Sequence, residues 1–212
     1  MKLLTEEDRK SIEAAIKKVE AVTSGEIVFT ITDASAYYHY ATLLGAIICM
    51  AVTTAIYLAL PLSHTITEVL WIQFISFALF YAILPYIPWR RLLISKEEMN
   101  ARVHEAAFMK FYSSGLHRTR EENGIEIFLS VFERRVVVIA DRGIHEKMGN
   151  VHWDEVRNKI INGIHSGRAQ EGICAAIQEC GQDLAKHFPR RTDDINELTD
   201  QPIETQIRPE AP

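Results

Sequence analysis

The chain has 212 residues, of which 23 are Lys or Arg and 28 are Asp or Glu, for a formal net charge of −5. This balance excludes a protein that coats nucleic acid, which needs a positive excess to neutralise phosphates. With 48% hydrophobic residues and three cysteines, the chain is not a disordered, collagen-like or disulfide-dense polypeptide, and its length suits one core of normal size.

The first element predicted is a helix. Thr5-Glu6-Glu7-Asp8 has the form of a capping box, and Ile12, Ile16, Val19 and Val22 follow at helical spacing. Ser24-Gly25 ends it, and Glu26–Ile31 is a β-branched run of strand length.

Charge then disappears. No Lys or Arg lies between Lys18 and Arg90, and from Ala34 to Trp89 Glu68 is the only formally charged residue. Two apolar runs, about 40–60 and 69–87, flank a loop from Pro61 to Glu68. Each has about 20 residues, the length that crosses about 30 Å of hydrocarbon. Tyr40, Tyr57, Trp71, Tyr86 and Trp89 near their ends suit an aromatic belt. A buried hairpin of a soluble protein is the alternative, but such helices normally carry a polar face. The expectation is two membrane spans within 34–95. Lys10, Lys17 and Lys18 precede the spans, and Arg90, Arg91 and Lys96 follow them. The positive-inside rule then puts both termini in the cytoplasm of a cell (inner) membrane protein. Arg90 and Arg91 are candidates for headgroup contact, and the lipid bilayer is the first partner expected.

Beyond the hairpin, Lys96 to about Ser113 reads as a helix with Val103, Ala107 and Phe111 on one side. Ile125–Val131 and Arg135–Ala140, separated by three residues, read as an antiparallel strand pair buried on both faces. Glu26–Ile31 and Ile125–Val131 can pair in parallel across the long insertion. Two amphipathic helices follow, one with Trp153, Val156, Ile160 and Ile164, the other with Ile173, Ile177, Cys180 and Leu184. The acidic segment 190–212 is expected to be disordered. The fold class is thus α/β, a domain split into 1–33 and 96–189 by its hairpin.

Segments Leu4–Ile31 and about Ala101–Phe188 resemble the TPM domain, an α/β/α sandwich, and more closely its membrane-bound branch with an inserted hairpin. The resemblance rests on Gly25-Glu26-Ile27-Val28, on Asn123-Gly124-Ile125-Glu126-Ile127, and on the stretch Arg134–Ile144. Gly172 and Gln182-Asp183-Leu184 in the closing helices also fit. The resemblance implies calcium-binding acids after the second hairpin strand and, in some members, acid phosphatase activity. The family's usual pattern there is Gly-x-Gly-Leu-Glu with a later acid; Asp141, Gly143, Ile144 and His145 fall on its Gly, Gly, Leu and Glu, and Asn150 on the later acid. Calcium needs several oxygen ligands, largely carboxylates. An imidazole and an amide in those places weaken such a site, although Asp141 and Glu146 supply two other carboxylates. No cofactor is therefore expected, and calcium is kept only as an alternative.

The best site candidate is Asp141-Arg142-Gly143-Ile144-His145-Glu146, at the carboxyl end of a strand, with Thr119 or Arg120 beside it. Its ordinary alternative is a tight strand-to-helix turn. His145, Glu146 and His152 lack the spacing of a helical zinc motif, and Arg118, Arg120, Arg134, Arg135 and Arg142 could face an anion, although Arg134-Arg135 at a hairpin tip reads first as a solvated charge pair. Cys49, Cys174 and Cys180 lack the context of a nucleophile, and no Walker loop, dinucleotide fingerprint or nucleophile elbow occurs. With no Asp, Lys or Arg in either apolar run, the hairpin reads as an anchor rather than an ion path. The function expected is a membrane-anchored cytoplasmic binding or assembly module with a membrane or membrane-associated protein partner. A weak metal-dependent acid phosphatase is the alternative.

Overall fold

A computed structural model describes residues 3–61, 63–148, 151–190, 198 and 200–205. The first helix, α1 (Glu6–Glu20), starts where expected. The Thr5 hydroxyl accepts from the Asp8 amide at 3.2 Å, and the Asp8 carboxylate accepts from the Thr5 amide at 2.8 Å. These bonds satisfy two groups that a helix start would leave unpaired and hold the Asp8 carboxyl below its usual pKa. Its buried side is Ile12, Ala15, Ile16 and Val19. Val22 lies beyond the helix and is 56% exposed, so it is not part of this face.

Strand β1 (Glu26–Thr32) follows, then helices α2 (His39–Ala59), α3 (Ile66–Ile83) and α4 (Lys96–Ser113). Strands β2 (Gly124–Ser130) and β3 (Arg135–Ala140) lead into helices α5 (Arg142–Met148), α6 (Val151–His165) and α7 (Ala169–His187), and a short strand β4 (Ile203–Thr205) comes last. The chain divides into two units, Met1–Ala36 with Asn100–Pro212, and Tyr37–Met99.

The larger unit is built on a sheet of order β3-β2-β1-β4. β1 pairs in parallel with β2, Glu26 opposite Gly124 through Thr32 opposite Ser130, as the long connection requires. β3 runs antiparallel to β2. Ile27, Phe29, Ile125, Ile127 and Leu129 alternate onto one face, where the apolar sides of α1, α6 and α7 bury them. The opposite face carries Val28, Phe128 and Val137, covered by Val103, Ala107 and Phe111 of α4. This is an α/β/α layering.

Two expectations change here. β2 is buried throughout, but β3 is only partly covered, because it is the edge of the sheet and pairs on one side. Segment 190–212 is also not wholly without structure. Ile203–Thr205 pairs in parallel with Thr30–Thr32, and Leu198 and Ile203 pack by Val28, Phe111 and Leu116. A β-branched residue beside an unpaired strand edge supplies the reason, one that composition averages hide. Residues 191–197, 199 and 206–212 lie outside the described residues.

In the smaller unit, α2 and α3 pack together and are each long and apolar enough to cross a membrane. Glu68, expected in the loop, instead caps α3. Its carboxylate accepts from the Thr65 amide at 3.0 Å, while the Thr65 hydroxyl accepts from the Glu68 amide at 3.3 Å. The expected span to Ile87 is helical only to Ile83, and a 3-10 turn around Pro85 takes over. Ile56 and Phe74 are 61% and 66% exposed, so these helices present apolar rather than polar outer faces.

Candidate functional site

Because β3 is antiparallel, its carboxyl end at Ala140 lies opposite Ile125, beside the amino ends of the parallel strands β1 and β2. The rule that ligands collect at the carboxyl ends of parallel strands therefore does not apply to Asp141. At that other end, the carboxylate of Glu133, 2% exposed, accepts from the Ser35 amide at 2.9 Å and from the Ser130 hydroxyl. A cavity of about 360 Å³ also opens there, lined by Leu129, Val136, Ile161, Ile164, Arg134 and His165 among others.

The Asp141 turn is held from below by the loop that enters β2. The Asp141 amide donates to Gly124 O at 2.9 Å and the Gly143 amide to Glu122 O at 3.1 Å. One Asp141 oxygen accepts from the Arg142 amide at 2.8 Å, and the other is buried without a hydrogen bond to any described residue. Asp141 thus starts α5 with a side-chain bond to its first amide. Gly143 is there for space: a Cβ would lie 2.8 Å from Glu121 O.

The side chains that point outward come one turn later. Arg142 and Glu146 form an exposed ion pair at 2.9 Å, which pushes the guanidinium pKa up. With Ala140 and His145 they line an open hollow. A second hollow, of about 520 Å³, shares Ala140 and His145 and is completed by Val138 and Ile139 of β3 and by His104, Glu105, Phe108 and Met109 of α4. The structure brings Arg142, His145 and Glu146 together, whereas Asp141 and Gly143 lie beneath them as supports.

Thr119 and Arg120 are not lining residues of either hollow. Thr119 is buried, and its hydroxyl accepts from the Asn123 amide at 3.2 Å. It shapes the loop behind Gly143. Among the described residues, no three His, Cys, Asp or Glu side chains form a group able to hold a metal ion. Of the candidate calcium ligands, Glu146 is paired with Arg142 and Asp141 is bound to the backbone. Asn150 and the His152 side chain lie outside the described residues.

The α4 contribution was missed in the sequence. Phe108 and Met109, 54% and 69% exposed, lie off the face marked by Val103, Ala107 and Phe111. A second apolar stripe on one helix was the available signal.

These layers define an α/β domain with an apolar helical insertion between its first strand and the rest. Residues 92–183, from just before α4 into α7, match the sequence profile of the TPM domain. The resemblance to the TPM domain seen in the sequence holds over that segment. In fold it is similar to BA42 protein from the psychrophilic bacterium Bizionia argentinensis, solved by NMR. The TM-score is 0.60 at 22% identity, over 96% of this chain and 97% of that one. No curated protein matches the sequence significantly.

Proposed function

We propose that this chain is a membrane-anchored TPM-type binding module, and that the joined hollows at Ala140 and His145 receive a membrane or membrane-associated protein. The observation that carries this reading is the mixed character of that surface. Exposed Phe108 and Met109 supply apolar area, and His104, His145 and the Arg142–Glu146 pair supply a polar rim. Interfaces are built of such apolar centres with polar edges. The apolar hairpin supports anchoring, and in this reading Arg90 and Arg91 meet anionic headgroups and both termini are cytoplasmic.

The test is site-specific photo-crosslinking in native membranes. A photoreactive residue at Met109 should give a discrete protein adduct that disappears with His145→Asp. The same probe at Gln178, exposed on α7, serves as the control position. Equal adducts from both positions, or none from Met109, would remove the assignment. Phosphate release from a soluble phosphomonoester by the purified chain with calcium, lost in Glu146→Ala, would instead favour the phosphatase alternative.

A further inference from the structure

The edge of the sheet opposite β3 carries its own evidence for a partner. β1 has seven residues, yet β4 pairs only with Thr30, Ile31 and Thr32. Further back, no strand among the described residues takes over. The Ile27 amide donates instead to the Glu20 carboxylate at 3.1 Å, a side chain standing in for a strand carbonyl. Strand edges left in this state are templates for further pairing.

The segment that sits there shows what the edge accepts. Ile203 and Leu198 reach the apolar patch of Val28, Phe111 and Leu116. Leu198 passes close to Gly115, where an added Cβ would lie 3.7 Å from its Cδ2. Between these anchors and the end of β4, Glu204 pairs with Arg9 of α1, whose side chain is only 21% exposed. The elements are those of strand addition: backbone pairing for affinity, pockets for apolar side chains, and one charge contact to set register.

We propose that the outer edge of β1 is a docking edge for an extended peptide of a partner protein, and that residues 198 and 200–205 occupy it in cis. The partner segment runs parallel to β1. It places an aliphatic residue at the Ile203 position, a carboxylate directly after it for Arg9, and a second aliphatic residue five positions earlier. A foreign strand has an advantage over the resident one. It can pair along the whole of Glu26–Thr32 rather than over its last three residues, and it returns Glu20 to water. That return is favourable, because burial, with Glu26 and Asp200 nearby, pushes the Glu20 pKa up to about 8. This edge lies on the opposite side of the sheet from β3 and includes none of Arg142, His145 and Glu146, so the two sites stand or fall separately.

The test uses the full chain in detergent and a fluorescent peptide with the sequence of residues 198–207. Substituting Ile203→Asp in the chain, not the peptide, removes the resident anchor. The peptide should then bind the variant saturably and wild type about tenfold more weakly, as when nine-tenths of the edge is already filled. A peptide with Asp at the Ile203 position should bind neither chain. Equal affinity for the two chains, or no saturable binding to the variant, overturns the proposal. A second measurement guards against a misfolded variant. On wild type, excess peptide should slow hydrogen exchange at Ile27 and Phe29, whose amides share this edge by alternation. Protection confined to residues outside β1 also overturns it.

Discussion

The amide of Gly143 donates to the carbonyl oxygen of Glu122 at 3.1 Å, and this bond ties the start of α5 to the loop entering β2. An added Cβ would meet both the Glu121 and Glu122 carbonyl oxygens, at 2.8 and 2.9 Å. Backbone atoms cannot step aside as a flexible side chain can. Gly143→Ala should therefore cost about 1–3 kcal/mol. It should also shift His145 and Glu146 relative to α4. Denaturant unfolding followed by tryptophan fluorescence measures the first effect, and loss of the Met109 crosslink measures the second.

Glu126 lies under α4 with no exposed surface, and neither carboxyl oxygen has a hydrogen-bond partner among the described residues. Burial pushes its pKa up to about 7, against weak opposing effects of Thr30 and Lys110. The unfolded chain gives up this proton near pH 4.3 and the folded chain only near 7, so folding stability falls as pH rises between these values. The loss is on the order of 2–3 kcal/mol. Glu20 acts in the same direction, up to about pH 8. Glu126→Gln should flatten the decline between pH 5 and 7, which urea titrations at stepped pH would read. An unchanged slope would mean that Glu126 titrates normally.

The Cys180 thiol is fully buried, which pushes its pKa up. Cys174 is half-buried and its pKa is raised less. Since the thiolate is the reactive form, iodoacetamide should modify Cys174 first and Cys180 only upon unfolding. Mass spectrometry of a labelling time course decides the order.

Thr5→Ala removes the hydroxyl that caps α1 and should cost about 1 kcal/mol. Asp8 would lose a partner in the same change. The readout is the unfolding midpoint, and Thr5→Ser should restore it.

In the proposed topology, Arg90→Glu with Arg91→Glu removes two of the charges that set hairpin orientation under the positive-inside rule. The fraction of molecules labelled from outside at a cysteine replacing Ser63 should fall. Labelling with a membrane-impermeant reagent in intact cells measures it. No change would place orientation on other residues.

The elements whose pattern was periodic were legible in the sequence. The capping box, the α4 face of Val103, Ala107 and Phe111, and the α7 face of Ile173, Ile177, Cys180 and Leu184 depend on local spacing alone. β3 was misread because Val136–Ala140 looks the same at an edge as at a centre; only pairing separates them. β4 was missed because three residues carry no periodicity. At the candidate site, Arg142, His145 and Glu146 were found by their sequence neighbourhood. His104 and Met109 were not, since tertiary packing alone brings α4 beside β3.

The pairing of Glu26 with Gly124 has a consequence for how the chain is made. β1 leaves the ribosome early, but its neighbour emerges only after both apolar helices and α4 have been synthesised. The central sheet register cannot form during that interval, and contacts so distant in sequence are slow to close. β1 waits as an isolated run of Ile, Val and Phe while the hairpin is sorted. Ribosome-stalled chains ending before Gly124 should thus expose β1 to chaperone or protease, and chains ending past Ala140 should protect it.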